Sequence, residues 1–136
     1  MDHFGRLLKQ ANNNMMRHFD QFAKQFGLTG NQMAVIDFIM NHEKQEIFQR
    51  DIEHEFNIQR STTTVLLQRM EKKGLIERHT SSKDARQKAV VLTDKAVKIA
   101  SACQAYLRAE EEEFAQQFSA EEREIFLNIL QHYRNL

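Results

Sequence analysis

From Phe4 to Phe26, apolar residues return at steps of three and four: Phe4, Leu8, Ala11, Met15, Phe19, Phe22 and Phe26. That interval is one stripe of a long amphipathic helix, and Gly27 directly after it reads as the helix stop. A matching stripe near the other end (Ala96, Ile99, Ala100, Cys103, Leu107, Phe114, Phe118) predicts a helix over 94–118, capped by Thr93. At 1.5 Å per residue that helix is about 38 Å long. A compact domain of this size has a radius of gyration of only about 14 Å, so such a helix is expected to project and bury part of its stripe against another chain. Ser119-Ala-Glu-Glu122 has the form of a capping box and opens a final helix expected to hold Ile125, Phe126, Ile129, Leu130 and Tyr133 inside. The absence of proline and the presence of only four glycines suit a mainly helical chain.

Between these long helices the pattern shortens. Thr29-Gly-Asn-Gln32 is a second capping box, opening a helix through Met33, Ile36, Phe38 and Met40 to about His42. Ile47-Phe48 predicts a short strand after the polar stretch 41–46. Two compact helices follow, over 49–56 and 59–73, broken near Asn57-Ile58. The second should bury Thr63, Leu66, Leu67 and Met70 and stop at Gly74. Strands are expected over 75–78 and 88–92, joined by the polar segment 79–87. A helix pair followed at once by a hairpin is a winged helix-turn-helix. The fold class is therefore mainly α with a small β-hairpin wing, a winged helix-turn-helix flanked by N- and C-terminal dimerisation helices.

The chain carries no net charge, but its charges are not evenly spread. Between Ile58 and Val90 lie Arg60, Arg69, Lys72, Lys73, Arg78, Lys83, Arg86 and Lys88, against only Glu71, Glu77 and Asp84. A basic middle between acidic ends can put positive charge on one surface, as a phosphate binder requires.

A recognition helix buries one face and offers short or hydrogen-bonding side chains to base edges on the other. Opposite Thr63, Leu67 and Met70 stand Ser61, Thr64, Val65, Gln68 and Lys72, with Arg69 at the edge. Arg60, Ser61 and Thr62 occupy the first turn, where hydroxyls and backbone N–H groups suit phosphate. Gln68 can pair with adenine, Arg69 with guanine or phosphate, and Val65 can touch a thymine methyl. Four hydroxyl residues in a row, 61–64, are poor helix formers, so more than capping is expected of them. Lys83, Arg86 and Lys88 make the hairpin a basic wing able to lay an arginine in a narrow minor groove. Asp84 would be repelled by phosphate, and is expected to orient Arg86 or Arg69.

Asp84-Ala-Arg86, followed by Val91-Leu92-Thr93 and a helix, resembles the D-x-R…L-T signature of the MarR family, the multiple-antibiotic-resistance regulators. The run from Thr64 through Gly74 to Arg78 resembles that family's recognition helix and its exit into the wing, and the order of flanking helices fits over nearly the whole chain. The resemblance implies a single domain over 1–136, with dimerisation helices at 1–26 and 94–136 and a winged helix-turn-helix at 29–92. It further implies a homodimer on a palindromic double-stranded DNA operator, with recognition helices in the major groove and wings in the minor groove. Repression is the implied action, with release by a small effector bound between the dimerisation and DNA-binding parts. Two positions depart from the pattern: Ala96 stands where many members have glycine, and Thr63 where a larger apolar residue is usual.

No phosphate-binding glycine loop, nucleophile motif or metal constellation is present, so neither an enzyme nor a cofactor or metal requirement is expected. His42-Glu43 falls short of a zinc signature because Glu46 occupies the place of the second histidine. Cys103 lies mid-stripe, where packing explains it. A single cysteine, no membrane-length apolar run and a polar start point to the cytoplasm. Met15, Phe19, Phe22 and Phe26 are expected as core and dimer interface, and they are also the candidate lining for a small apolar or aromatic effector. Two alternatives stay open: a winged helix used for protein association, and a metal-responsive regulator.

Overall fold

A computed structural model describes residues 2–136, so the first residue of the expected 1–26 segment lies outside it. The described residues form six helices and one hairpin: α1 Phe4–Lys24, α2 Gly30–Asn41, α3 Gln49–Phe56, α4 Arg60–Lys72, β1 Ile76–Thr80, β2 Lys88–Leu92, α5 Asp94–Gln117 and α6 Ala120–Arg134. They fall into two compact units, one ending at Ser101 and one from Ala102 to Leu136, with α5 belonging to both.

In the first unit, local chemistry sets the helix ends. Gly27, at φ +75°, lets the Leu28 N–H reach back to the Ala23 carbonyl at 3.1 Å and its own N–H to Lys24 at 3.0 Å. That pair of bonds is the αL stop in which the last carbonyls of α1 find donors. Thr29 then caps α2, its hydroxyl accepting from the Gln32 N–H and the Gln32 side chain accepting from Thr29 N–H. Helix α1 passes so close to this turn that the Gly30 N–H donates to Asp20 Oδ1 at 2.6 Å. A Cβ on Gly30 would meet that same oxygen, which is why the crossing takes glycine. The core below contains Met33, Ile36, Ile52, Leu67, Met70 and Leu75, all fully buried.

The hairpin is longer than the sequence predicts. Strands β1 and β2 pair antiparallel from Ile76↔Leu92 to Thr80↔Lys88, so His79 and Thr80 belong to β1 and the loop is 81–87. The loop closes where the Ser81 N–H donates to the Gln87 carbonyl, while the Ser81 hydroxyl accepts from the N–H groups of Lys83 and Asp84. Ile47-Phe48 is no strand. A single backbone bond, Val90 N–H to the Ile47 carbonyl at 2.7 Å, ties it to the hairpin, because Phe48 turns at once into the start of α3. There the Phe48 N–H donates to Asp51 at 2.8 Å.

In the second unit, Ser119 and Glu122 complete the expected capping box at 3.1 and 2.9 Å. The Phe114 ring meets Phe118 and Phe126 edge-on, and Arg123 donates to the carbonyls of Ala115 and Phe118. The final helix does not hold its apolar residues inside: Ile125, Phe126 and Ile129 are about half exposed in the single chain. One helix packed on the end of another covers only one side of its stripe.

Candidate DNA interface

The helix expected to read DNA is α4, and its two faces are fixed by what lies beneath. Thr63, Leu67 and Met70 are fully buried, and the Thr63 hydroxyl, in an apolar setting, donates to the Gln59 carbonyl at 2.9 Å. The methyl therefore packs while the polar atom is satisfied within the helix, which is how threonine stands at a position of larger apolar residues. Leu66, expected with this set, is only half-buried and borders an open cleft instead. On the other face Arg60, Ser61, Thr62, Val65, Gln68, Arg69 and Lys72 are all exposed.

Thr64 differs from its neighbours. Its hydroxyl donates to the Arg60 carbonyl at 2.9 Å and accepts from Gln49 Nε2 at 2.9 Å, leaving it half-buried against α3. Gln49 also donates to Glu53 at 3.1 Å, so one side chain at the start of α3 pins the first turn of α4. The N-cap residue Gln59 makes no side-chain cap, so the first N–H groups of α4 carry no such partner at the end that faces out with Ser61 and Thr62.

The wing presents its charges differently. Arg86 is 90 % exposed, yet its guanidinium is held by Asp84: Nε to Oδ1 at 3.2 Å and Nη2 to Oδ2 at 3.4 Å. The Arg86 N–H also donates to Asp84 Oδ1 at 3.0 Å. Those bonds hold the Asp84 carboxyl below the usual carboxylate range. Of the two partners expected for Asp84, the structure brings Arg86; Arg69 borders the cleft beside α1 and α2. Lys83 is exposed on the loop, and Lys88, on β2, donates to the Thr80 hydroxyl at 3.3 Å.

Several bonds that position this surface reach from α4 and the wing to residues that precede α4 in the sequence. Glu46 accepts from Ser81 Oγ at 2.9 Å, Ser82 Oγ at 3.1 Å and Ser82 N–H at 3.2 Å, bracing the wing loop from the segment before α3. The Ser81 hydroxyl, with Ser82 and the charge of Lys83 adding to it, keeps the Glu46 carboxyl below its ordinary value. Lys73 turns inward at the other end of α4, donating to the Gly27 carbonyl and to Gln32, both at 2.9 Å. Arg50 donates to Gln87 of the wing. Each bond joins residues far apart in sequence, and no local spacing announces it.

A cleft of about 1170 Å³ lies between α1–α2 and α3–α4, bordered by Met16, Asp20, Lys24, Gln32, Val65 and Arg69 among others. The expected effector lining of Met15, Phe19, Phe22 and Phe26 does not form its wall. Met16 is the α1 methionine on that side, one residue and about 100° of helix turn from Met15.

Six helices with a braced hairpin directly after a helix pair make this a winged helix-turn-helix protein. A sequence profile of the MarR family matches residues 26–87. The chain is similar over 98 % of its length to the crystal structure of the transcription regulator MarR from Oenococcus oeni PSU-1, all of which it covers, with 42 % identity and a TM-score of 0.89. It is also similar to the Staphylococcus aureus MepR–DNA complex, at 25 % identity and a TM-score of 0.89, over 96 % of this chain and 94 % of that one. The HTH-type transcriptional regulator SarZ of Staphylococcus haemolyticus (strain JCSC1435) is 27 % identical over 126 residues, 93 % of this chain and 83 % of SarZ. The chain belongs to the MarR family of transcription regulators, and it is not an enzyme. Among the described residues, no helix is long and apolar enough to cross a membrane.

Proposed function

We propose that this regulator binds a palindromic DNA operator as a homodimer, as a repressor released by a small effector, and acts in the cytoplasm. The observation that carries the reading is the exposed hydrogen-bonding face of α4 beside a wing arginine already oriented by a carboxylate. Ser61, Val65, Gln68 and Arg69 address base edges in the major groove, Arg60, Thr62 and Lys72 the flanking phosphates, and Thr64 holds the helix at the right angle. Lys83, Arg86 and Lys88 belong to the wing in the minor groove, with Asp84 orienting Arg86. The solved MepR–DNA complex supports DNA as the partner.

Dimerisation falls to the segments 1–26 and 94–136, the two flanks of a domain centred on 29–92. Exposed Phe4, Leu7, Leu8 and Met15 on α1, and Ile125, Phe126, Leu127 and Ile129 on α6, supply apolar surface for a partner. A two-fold dimer presents two copies of α4, and so reads an inverted repeat. The cleft beside α4 offers an effector a mixed wall, with Met16, Val35 and Leu66 for an apolar or aromatic body and Lys24 and Arg69 for a polar group.

Selection of binding sites from a random duplex library tests the reading. The expected product is an inverted repeat with half-sites about 10 base pairs, or a multiple of that, apart. A library that returns no enriched sequence contradicts it.

A further inference from the structure

A second cleft, of about 410 Å³, opens between the start of α3 and the wing. Arg50, Arg60, Arg78 and Lys88 border it, and Glu53 is the one carboxylate in its wall. Glu53 is already engaged by Gln49, and Arg78 by Glu71 at 3.3 Å. Arg60 is exposed, and Lys88 spends one of its three protons on Thr80.

Arg50 is the organised member. Its guanidinium carbon stands 4.7 Å from the centroid of the Phe48 ring, and Nη1 donates to Gln87 Oε1 at 3.2 Å across the cleft. A planar guanidinium stacked on a ring and tethered at one nitrogen has little rotamer freedom left to lose, and it keeps most of its five donors for an anion.

We propose that Arg50, flanked by Arg60 and Lys88, seats one phosphodiester of the DNA backbone between α3 and the wing. This rests on the DNA-binding reading above, and adds to it a sequence-independent clamp on the backbone. A free phosphate ion has the same chemistry. The backbone is the better occupant because the cleft is walled by the first turn of α4 and by a wing strand. Those are the two elements proposed to enter adjacent grooves, and a phosphate strand runs between grooves.

The test uses the full chain with Arg50→Ala, Arg50→Lys and Arg50→Gln, each checked for a cooperative melt. Binding is titrated against salt on the selected operator and on an unrelated duplex. With Arg50→Ala the slope of log affinity against log salt should shrink by about 0.9, the value for one phosphate. Both duplexes should weaken by the same factor, with base preference unchanged. Arg50→Lys should keep the slope, and Arg50→Gln, the variant to rely on if alanine fails to fold, should lose it as alanine does. An unchanged slope in folded Arg50→Ala or Arg50→Gln overturns the proposal. So does inorganic phosphate, exchanged for chloride at fixed ionic strength, if it displaces DNA from the parent chain but not from Arg50→Ala while their slopes agree. The unrelated duplex keeps the two readings apart. Failure of the parent chain to prefer its operator counts against sequence-specific regulation, whereas the slope on either duplex decides the clamp.

Discussion

Arg86 and Gln68 sit on different elements and are asked for different things, and their variants should separate accordingly. Arg86 offers charge and a planar fork held by Asp84, with no partner that distinguishes one base pair from another in a narrow groove. Arg86→Ala should therefore weaken binding to every duplex. Gln68, exposed on α4, can make a two-point contact with one adenine, so Gln68→Ala should change preference at one position by about 1–3 kcal/mol. Site selection with each variant checks this, and two profiles that change alike would count against both roles. Glu46 makes a third case, with a pH sign. Its carboxyl is held below the ordinary value by the Ser81 and Ser82 bonds, so the brace is complete above the usual carboxylate range and is lost as pH falls through the lowered folded value. Near neutral pH, Glu46→Gln should speed hydrogen exchange at the Ser82 amide, while the parent chain should show that change only in acid. Equal exchange in parent and variant would remove Glu46 from the account.

At the scale of elements, the ends of the helices were legible because they are local. Thr29 with Gln32, Ser119 with Glu122, and Gly27 and Gly74 at the stops all lie within one or two turns of what they terminate. Gly74, at φ +71° with nothing within 4 Å of an added Cβ, isolates the backbone term. Gly74→Ala should destabilise the fold by about 1–2 kcal/mol in denaturant titration, from the left-handed conformation alone. Leu67→Ala in the core beneath should cost roughly 2–5 kcal/mol, since it adds a cavity to the lost burial. A smaller loss for Leu67 than for Gly74 would mean that the α4 core relaxes freely. What the sequence did not show was long-range. The hairpin runs two residues further than its apolar pattern because His79 and Thr80 are held by pairing with Ala89 and Lys88. The expected strand at Ile47 reduces to one bond, and Leu66 opens onto a cleft instead of the core. The bonds from Glu46, Gln49 and Arg50 to residues 15 to 37 positions away follow from topology, which no periodicity contains.

For the whole molecule, the winged helix-turn-helix and its family were readable from the order of elements and the Asp84-Ala-Arg86 and Leu92-Thr93 motif. Apolar side chains left about half exposed on α6 require a further surface to cover them, and a second copy is the occupant proposed. Light scattering at micromolar concentration should report a dimer, and Phe126→Asp should shift it toward monomer and weaken operator binding together. A parent chain that scatters as a monomer would contradict the dimer, and with it the palindrome. The most direct test of the central claim, that α4 and the wing read DNA sequence, is a salt titration of binding to the DNA upstream of the regulator's own gene beside an unrelated duplex. The account predicts steep loss of affinity on both as salt rises, by a log–log slope of about 0.9 per phosphate neutralised, with the upstream site staying tighter throughout. Equal affinity for the two duplexes at moderate salt would contradict it.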